Sequence, residues 1–207
     1  MVNDAYHVPV LLKESVEGLN INPQGIYVDV TYGGGGHSAE IIKRLTTGKL
    51  IAFDRDADAI KNKTTTKNLI VIHNSFSNLT NELNTLNISA VDGLLADLGV
   101  SSHQFDVAER GFSFRFNSNL DMRMDTSAPI NASHILNTYS EKELVNIFSL
   151  YGEIRNSKTV AAAIVKVRKQ SPIKTTVFFK SAVVFIGDCL RTFTMAAATV
   201  FEFLISP

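Results

Sequence analysis

Gly33, Gly34, Gly35 and Gly36 follow a β-branched apolar stretch and precede a segment of helical pattern. Missing side chains there let a ligand touch backbone N–H groups, and a helix N-terminus adds positive potential. A tight turn alone needs fewer glycines, so the run reads as a cradle of the dinucleotide-binding kind. The pattern is not G-x-G-x-x-G, because Ser38 stands where the third glycine would pack helix on strand. A nicotinamide dinucleotide is therefore disfavoured against another adenosine-bearing ligand. Asp54 follows at close to the roughly 20-residue interval at which an acid reaches a ribose diol. The alternative for Asp54 is a solvated strand-end acid, the reading given to Asp56 and Asp58. Asp97 closes a later apolar run, where an open α/β sheet places its ligand crevice. It could accept a proton or orient an amine there, or only cap the turn Leu98-Gly99-Val100-Ser101.

Other chemistries are disfavoured. His7, His37, His73, His103 and His134 are scattered, without zinc-site spacing or supporting cysteines, so no metal is expected. Ser101 and Ser102 lack a glycine-flanked nucleophile elbow.

These residues need strands and crossover helices to hold them. Residues 26–31, 50–54, 69–72 and 91–97 are short apolar runs alternating with helix-like segments, the rhythm of a parallel sheet. Ala39, Ile41, Ile42 and Leu45 recur at helical spacing, with Thr47-Gly48 as a stop signal. Residues 56–62 read as a short helix. Leu79, Leu83 and Leu86 put a leucine stripe on another, with Ser77 or Asn78 as its cap. Near residue 105 the rhythm changes. Residues 105–130 show no clear period, and 140–170 read as helices.

Phe112, Phe114 and Phe116 alternate with polar residues, so one strand face would be aromatic, suited either to a core or to stacking on unpaired bases. Arg155, Lys158, Lys166, Arg168, Lys169 and Lys174 face only Glu153 in the same stretch. This local excess is the place to expect phosphate contacts; its alternative is a solvated helix face.

The chain has 207 residues, 45% hydrophobic and 19% charged, with a formal net charge of zero. That is enough to bury a sizeable core and excludes a disordered tail or a disulfide-stapled miniprotein. Any nucleic-acid footprint must be local. A single cysteine, Cys189, and no secretory leader point to a reducing cytoplasm. In residues 177–207, Lys180, Asp188, Arg191 and Glu202 interrupt a Phe-rich apolar run, so a membrane span and stable membrane association are not expected.

Three stretches together resemble the bacterial RsmH (MraW) family. They are His7-Val8-Pro9-Val10-Leu11-Leu12; Asp29-Val30-Thr31-Tyr32 with the glycines and His37-Ser38; and Asp54-Arg55-Asp56. The decisive match is Asp97-Leu98-Gly99-Val100-Ser101-Ser102, continued by Ala108-Glu109-Arg110-Gly111-Phe112-Ser113-Phe114 and Leu120-Asp121-Met122-Arg123-Met124-Asp125. The resemblance implies an S-adenosylmethionine-dependent methyltransferase acting on N4 of a cytosine in the decoding region of 16S rRNA, within the small ribosomal subunit. It also implies a class I, Rossmann-like α/β sheet with a helical substrate-recognition insertion after strand four. Carried over by position, Gly35, Gly36 and His37 would contact the cofactor, Asp54 its ribose and Phe76 its adenine. Asp97 and Gln104 would complete the pocket. Asp97 is also the candidate catalytic proton acceptor or orienter. His103 stands where the family commonly has proline.

On this reading residues 1–105 are the cofactor-binding half-domain, 106–176 a partial helical insertion and 177–207 a divergent apolar tail. The similarity fades near Thr175 or Thr176, as a truncated or frameshifted reading would give. The sheet would then be incomplete, with weak cofactor binding and poor turnover expected. An RNA-binding module with a vestigial cofactor site is the main alternative, a nicotinamide-dependent oxidoreductase a lesser one. A homodimer stays open.

Overall fold

The computed structural model describes residues 9–61, 63 and 65–184. The chain divides into two compact units, Met1–Leu98 and Gly99–Pro207.

The first unit is an α/β layer structure. Its strands are β1 (Ile26–Asp29), β2 (Lys49–Asp54), β3 (Leu69–His73) and β4 (Gly93–Leu95), all parallel, in the order β3-β2-β1-β4. This is the Rossmann-like order of the first four strands of a doubly wound sheet. Leu50, Ile51, Ala52 and Phe53 are all buried, as expected of an inner parallel strand covered on both faces. Because successive side chains point to opposite faces, Tyr27 and Leu50 join one cluster while Val28, Ile51 and Phe53 join the other. On the first face, Val16 of helix α1 (Leu12–Gly18) and Ile41 of helix α2 (Gly36–Arg44) complete the packing. On the second lie Leu79 and Leu83 of helix α4 (Leu79–Thr85), which follows the short α3 (Ala57–Lys61). Each fully buried Val, Leu, Ile or Phe among these contributes about 1.5–3 kcal/mol.

Several boundaries differ from expectation. The first ladder ends at Asp29 rather than residue 31, and β4 spans three residues rather than 91–97. Beyond Leu95 the chain leaves the sheet, so Asp97 lies outside the strand. Neither Ser77 nor Asn78 caps α4 through its side chain. Instead Ser75 Oγ accepts the Ser77 N–H and caps the 3-10 turn Phe76–Asn78 that leads into α4.

The second unit is helical. It contains α5 (Ser102–Asp106), α6 (Ala132–Thr138), α7 (Glu141–Leu150), α8 (Ser157–Arg168) and α9 (Thr176–Val184). Ser101 with Gln104 and Ser140 with Glu143 form capping boxes that start α5 and α7. Phe112, Leu120, Ile135, Leu144, Phe148, Val160, Ile164 and Phe179 share one core. The units divide at Leu98–Gly99, whereas the sequence pattern changes near residue 105, and α5 belongs wholly to the second unit. Phe179 is fully buried, so the start of the Phe-rich stretch helps to build this core. The expectations for Cys189 and for the rest of residues 177–207 after 184 lie outside the described residues. Among those described, no helix is long and apolar enough to cross a membrane.

The phenylalanine strand does not form. Ser113 Oγ accepts from the backbone N–H and Nε of Arg115, which turns the chain at this point. Phe112 is buried in the core, Phe114 packs against Phe179, and Phe116 lies under the Arg115 guanidinium. The core alternative therefore holds for Phe112 and Phe114.

Candidate functional site

β2 and β3 lie to one side of β1 and β4 to the other, so the carboxyl ends of β1 and β4 flank the switch point where such sheets bind ligands. The glycine run begins there. Gly33 and Gly35 adopt φ of 51° and 76°, values that favour glycine, and Gly35 is the N-cap of α2. A Cβ on Gly36 would collide with the ring of Pro9, and one on Gly35 would press on the Tyr32 ring. Three of the four glycines thus have a conformational or packing reason. At Gly33 the nearest atom to an added Cβ is Thr31 O at 3.9 Å, so this position remains open to a ligand.

Asp54 is the post to which the loop is tied. Its Oδ2 accepts the Gly33 N–H at 2.7 Å and its Oδ1 the Asp56 N–H at 2.8 Å. Burial raises its pKa above the ordinary aspartate value, while those two N–H groups favour the charged form. Each oxygen keeps a further lone pair for a ligand hydroxyl. Phe76 stands just beyond the end of β3, half-buried against the cluster that holds Val28, Val30, Ile51 and Phe53.

Asp97 is half-exposed, its side chain at 51%, with Oδ2 3.8 Å from Nδ1 of buried His37. His37 is in the first turn of α2, and its buried Nε2 meets no hydrogen-bond partner among the described residues. Behind them lies Asp29, fully buried at the end of β1. Its Oδ1 accepts the Thr31 N–H at 3.0 Å and its Oδ2 the Ser38 hydroxyl at 2.7 Å. Burial pushes the Asp29 carboxyl above the usual range, against the opposing pull of Ser38, Thr31 and nearby His37.

The first unit therefore brings Gly35, Gly36, His37, Asp54, Phe76 and Asp97 to the carboxyl ends of adjacent strands. Gln104 is in the second unit, buried, where its Oε1 accepts the Ser101 N–H at 3.0 Å and caps α5. Sequence reasoning missed Asp29 and Thr31, and read Ser38 only as a lost glycine. The available signal was an acid at a strand end with hydroxyl residues two and nine positions later, since a buried carboxylate needs donors.

Among the basic residues of the second unit, Arg155, Lys158, Lys166 and Lys169 are exposed. Lys158, Lys166 and Lys169 fall within about 80° of one another around α8 and its C-cap. Buried Val160 and Ile164 lie on the opposite side. Arg168 differs: its guanidinium donates to Leu136 O at 2.7 Å, tying α8 to α6.

The pattern of the MraW methylase family matches residues 4–194. A ribosomal RNA small subunit methyltransferase H of Cytophaga hutchinsonii is 57% identical over 173 residues, covering 83% of this chain and 58% of that protein. Its namesake from Bacteroides thetaiotaomicron is 55% identical over 171 residues, covering 82% and 56%. That from Flavobacterium johnsoniae is 53% identical over 172 residues, covering 83% and 57%. The chain thus spans a little over half the length of these relatives. With its glycine loop and spaced acids at the switch point of a parallel sheet, it belongs to the MraW methylase family.

Proposed function

We propose that this chain carries out S-adenosylmethionine-dependent methylation of the N4 amino group of a cytosine in 16S rRNA, in the setting of the small ribosomal subunit. The observation that carries this reading is the Asp54 carboxylate holding Gly33 at 2.7 Å, which ties the glycine loop to the spaced acid. The pocket residues fit an adenosyl ligand. Gly33 leaves space, Asp54 keeps acceptor capacity for a ribose diol, and the orphaned Nε2 of His37 offers an uncommitted polar atom. Phe76 offers a ring at the neighbouring strand end, suited to an adenine. The resemblance also assigns Gln104, which caps α5 in the second unit, to the cofactor.

When bound, S-adenosylmethionine supplies an electrophilic methyl group on a sulfonium. The cytosine amine is a weak nucleophile because its lone pair is delocalised into the ring, so positioning must supply much of the rate, as much as about 7 to 11 kcal/mol. Asp97, exposed enough to meet a substrate, is the residue to accept a hydrogen bond from the amine, localise its lone pair and take up the amino proton that must leave once the methyl has passed from sulfur to nitrogen. Lys158, Lys166 and Lys169 form the phosphate-facing stripe, with exposed Arg155, just before α8, as a further phosphate contact. Arg168, read with them from the sequence, has a tie of its own to α6.

Calorimetry with S-adenosylmethionine, and transfer of labelled methyl groups to small ribosomal subunits, test the proposal. Expected are weak but saturable binding, lost in Asp54→Ala, and slow appearance of label on a cytosine N4. RNA affinity that survives with no cofactor binding would favour an RNA-binding module instead.

A further inference from the structure

The ladder between β1 and β4 ends at Asp29 opposite Leu95, with one more bond from Val30 N–H to Leu95 O at 3.0 Å. Two residues later the Asp97 N–H is held by a side chain instead: it donates to Thr31 Oγ1 at 2.8 Å. That hydroxyl in turn donates to Asp29 Oδ1 at 3.3 Å. On the carboxylate's other oxygen, Ser38 donates at 2.7 Å, and Ser38 adjoins His37, whose Nδ1 faces Asp97 Oδ2 at 3.8 Å. The contacts close a ring. Through two hydroxyls, one buried acid holds the end of β1, the first turn of α2 and the segment after β4.

The hydrogen bonds of this ring have a direction. A backbone N–H can only donate, so the Asp97 N–H takes a lone pair of the Thr31 hydroxyl and the single hydroxyl proton goes to Asp29 Oδ1. We propose that Thr31 is a positioning residue: its hydroxyl fixes the backbone at Asp97 and thereby the place of the half-exposed Asp97 carboxylate beside His37. This rests on the reading above that Asp97 faces the ligand. Valine keeps the shape of Thr31 and loses the hydroxyl; serine keeps the hydroxyl.

The test has two arms. In amide hydrogen exchange of the ligand-free chain, Thr31→Val should speed exchange at the Asp97 N–H by about tenfold or more, with Val28 in β1 unchanged. Thr31→Ser should stay within about twofold of the unaltered chain. In calorimetry with S-adenosylmethionine, Thr31→Val should bind about tenfold more weakly and Thr31→Ser nearly normally. The Thr31→Val loss should vanish in an Asp97→Ala background, whereas a merely structural role would give losses that multiply. Unchanged Asp97 exchange in Thr31→Val, or multiplying losses, would overturn the proposal. Should the unaltered chain bind no S-adenosylmethionine, the proposed function fails, and the exchange arm alone decides whether Thr31 fixes Asp97.

Discussion

Asp29 ties three segments together while buried in an environment that disfavours its charge. Its carboxyl holds a proton more tightly in the folded chain than in the unfolded one. The stability it contributes is therefore complete below the ordinary aspartate value, about 3.9, and is lost as pH rises through its higher folded value. Asp54, also raised by burial, acts in the same direction. Asp29→Asn should keep an acceptor for Thr31 and present an N–H to the Ser38 oxygen, while removing the buried charge. Urea unfolding at a series of pH values from about 4 to about 7 should then show a flatter loss of stability in Asp29→Asn than in the unaltered chain. Parallel curves would acquit Asp29 as the source. Ser38 shows how far residues can be read alone. Its identity announced a departure from a glycine motif, but the reason is a partner nine positions away that only folding brings within 2.7 Å.

Elements were the most legible level where local pattern and burial agree. Residues 50–54 form a continuous apolar run closed by an acid, and β2 (Lys49–Asp54) includes all five. The stripe of Leu79 and Leu83 likewise became α4. Periodicity failed at Phe112, Phe114 and Phe116, because Ser113 bends the backbone with its own hydroxyl and the alternation never meets a partner strand. Gly48 was legible only as a stop signal. The structure gives it a stricter task, since an added Cβ would strike the carbonyl oxygen of Gly25 and crowd the backbone at Gln24. Backbone cannot swing aside as a side chain can, so Gly48→Ala should destabilise the chain by about 1–3 kcal/mol. Gly18, whose added Cβ would meet nothing within 4 Å, is the control. Its alanine variant should leave the urea midpoint level or slightly raised.

Across the whole molecule the charges cancel, so attraction to RNA must come from a small region. Counterion release makes that region measurable. Removing Lys158, Lys166 and Lys169 together should flatten the plot of log affinity for single-stranded RNA against log salt by about 2, at about 0.7 per lost phosphate contact. Arg168→Ala should in addition lower the unfolding midpoint, because that guanidinium holds the Leu136 carbonyl. Composition located the basic cluster, but helix phase and one hydrogen bond separate its members, and neither is visible in a residue count. The division at Leu98–Gly99 was similarly hard to place, because α5 carries no long periodic signal. One carboxylate bears on the molecule as a whole. Asp54 already clasps Gly33 and Asp56, so any guest that grips its spare lone pairs also braces the strand end and the loop above it. Occupancy of the crevice should therefore be legible from outside, in how much heat or urea the chain withstands.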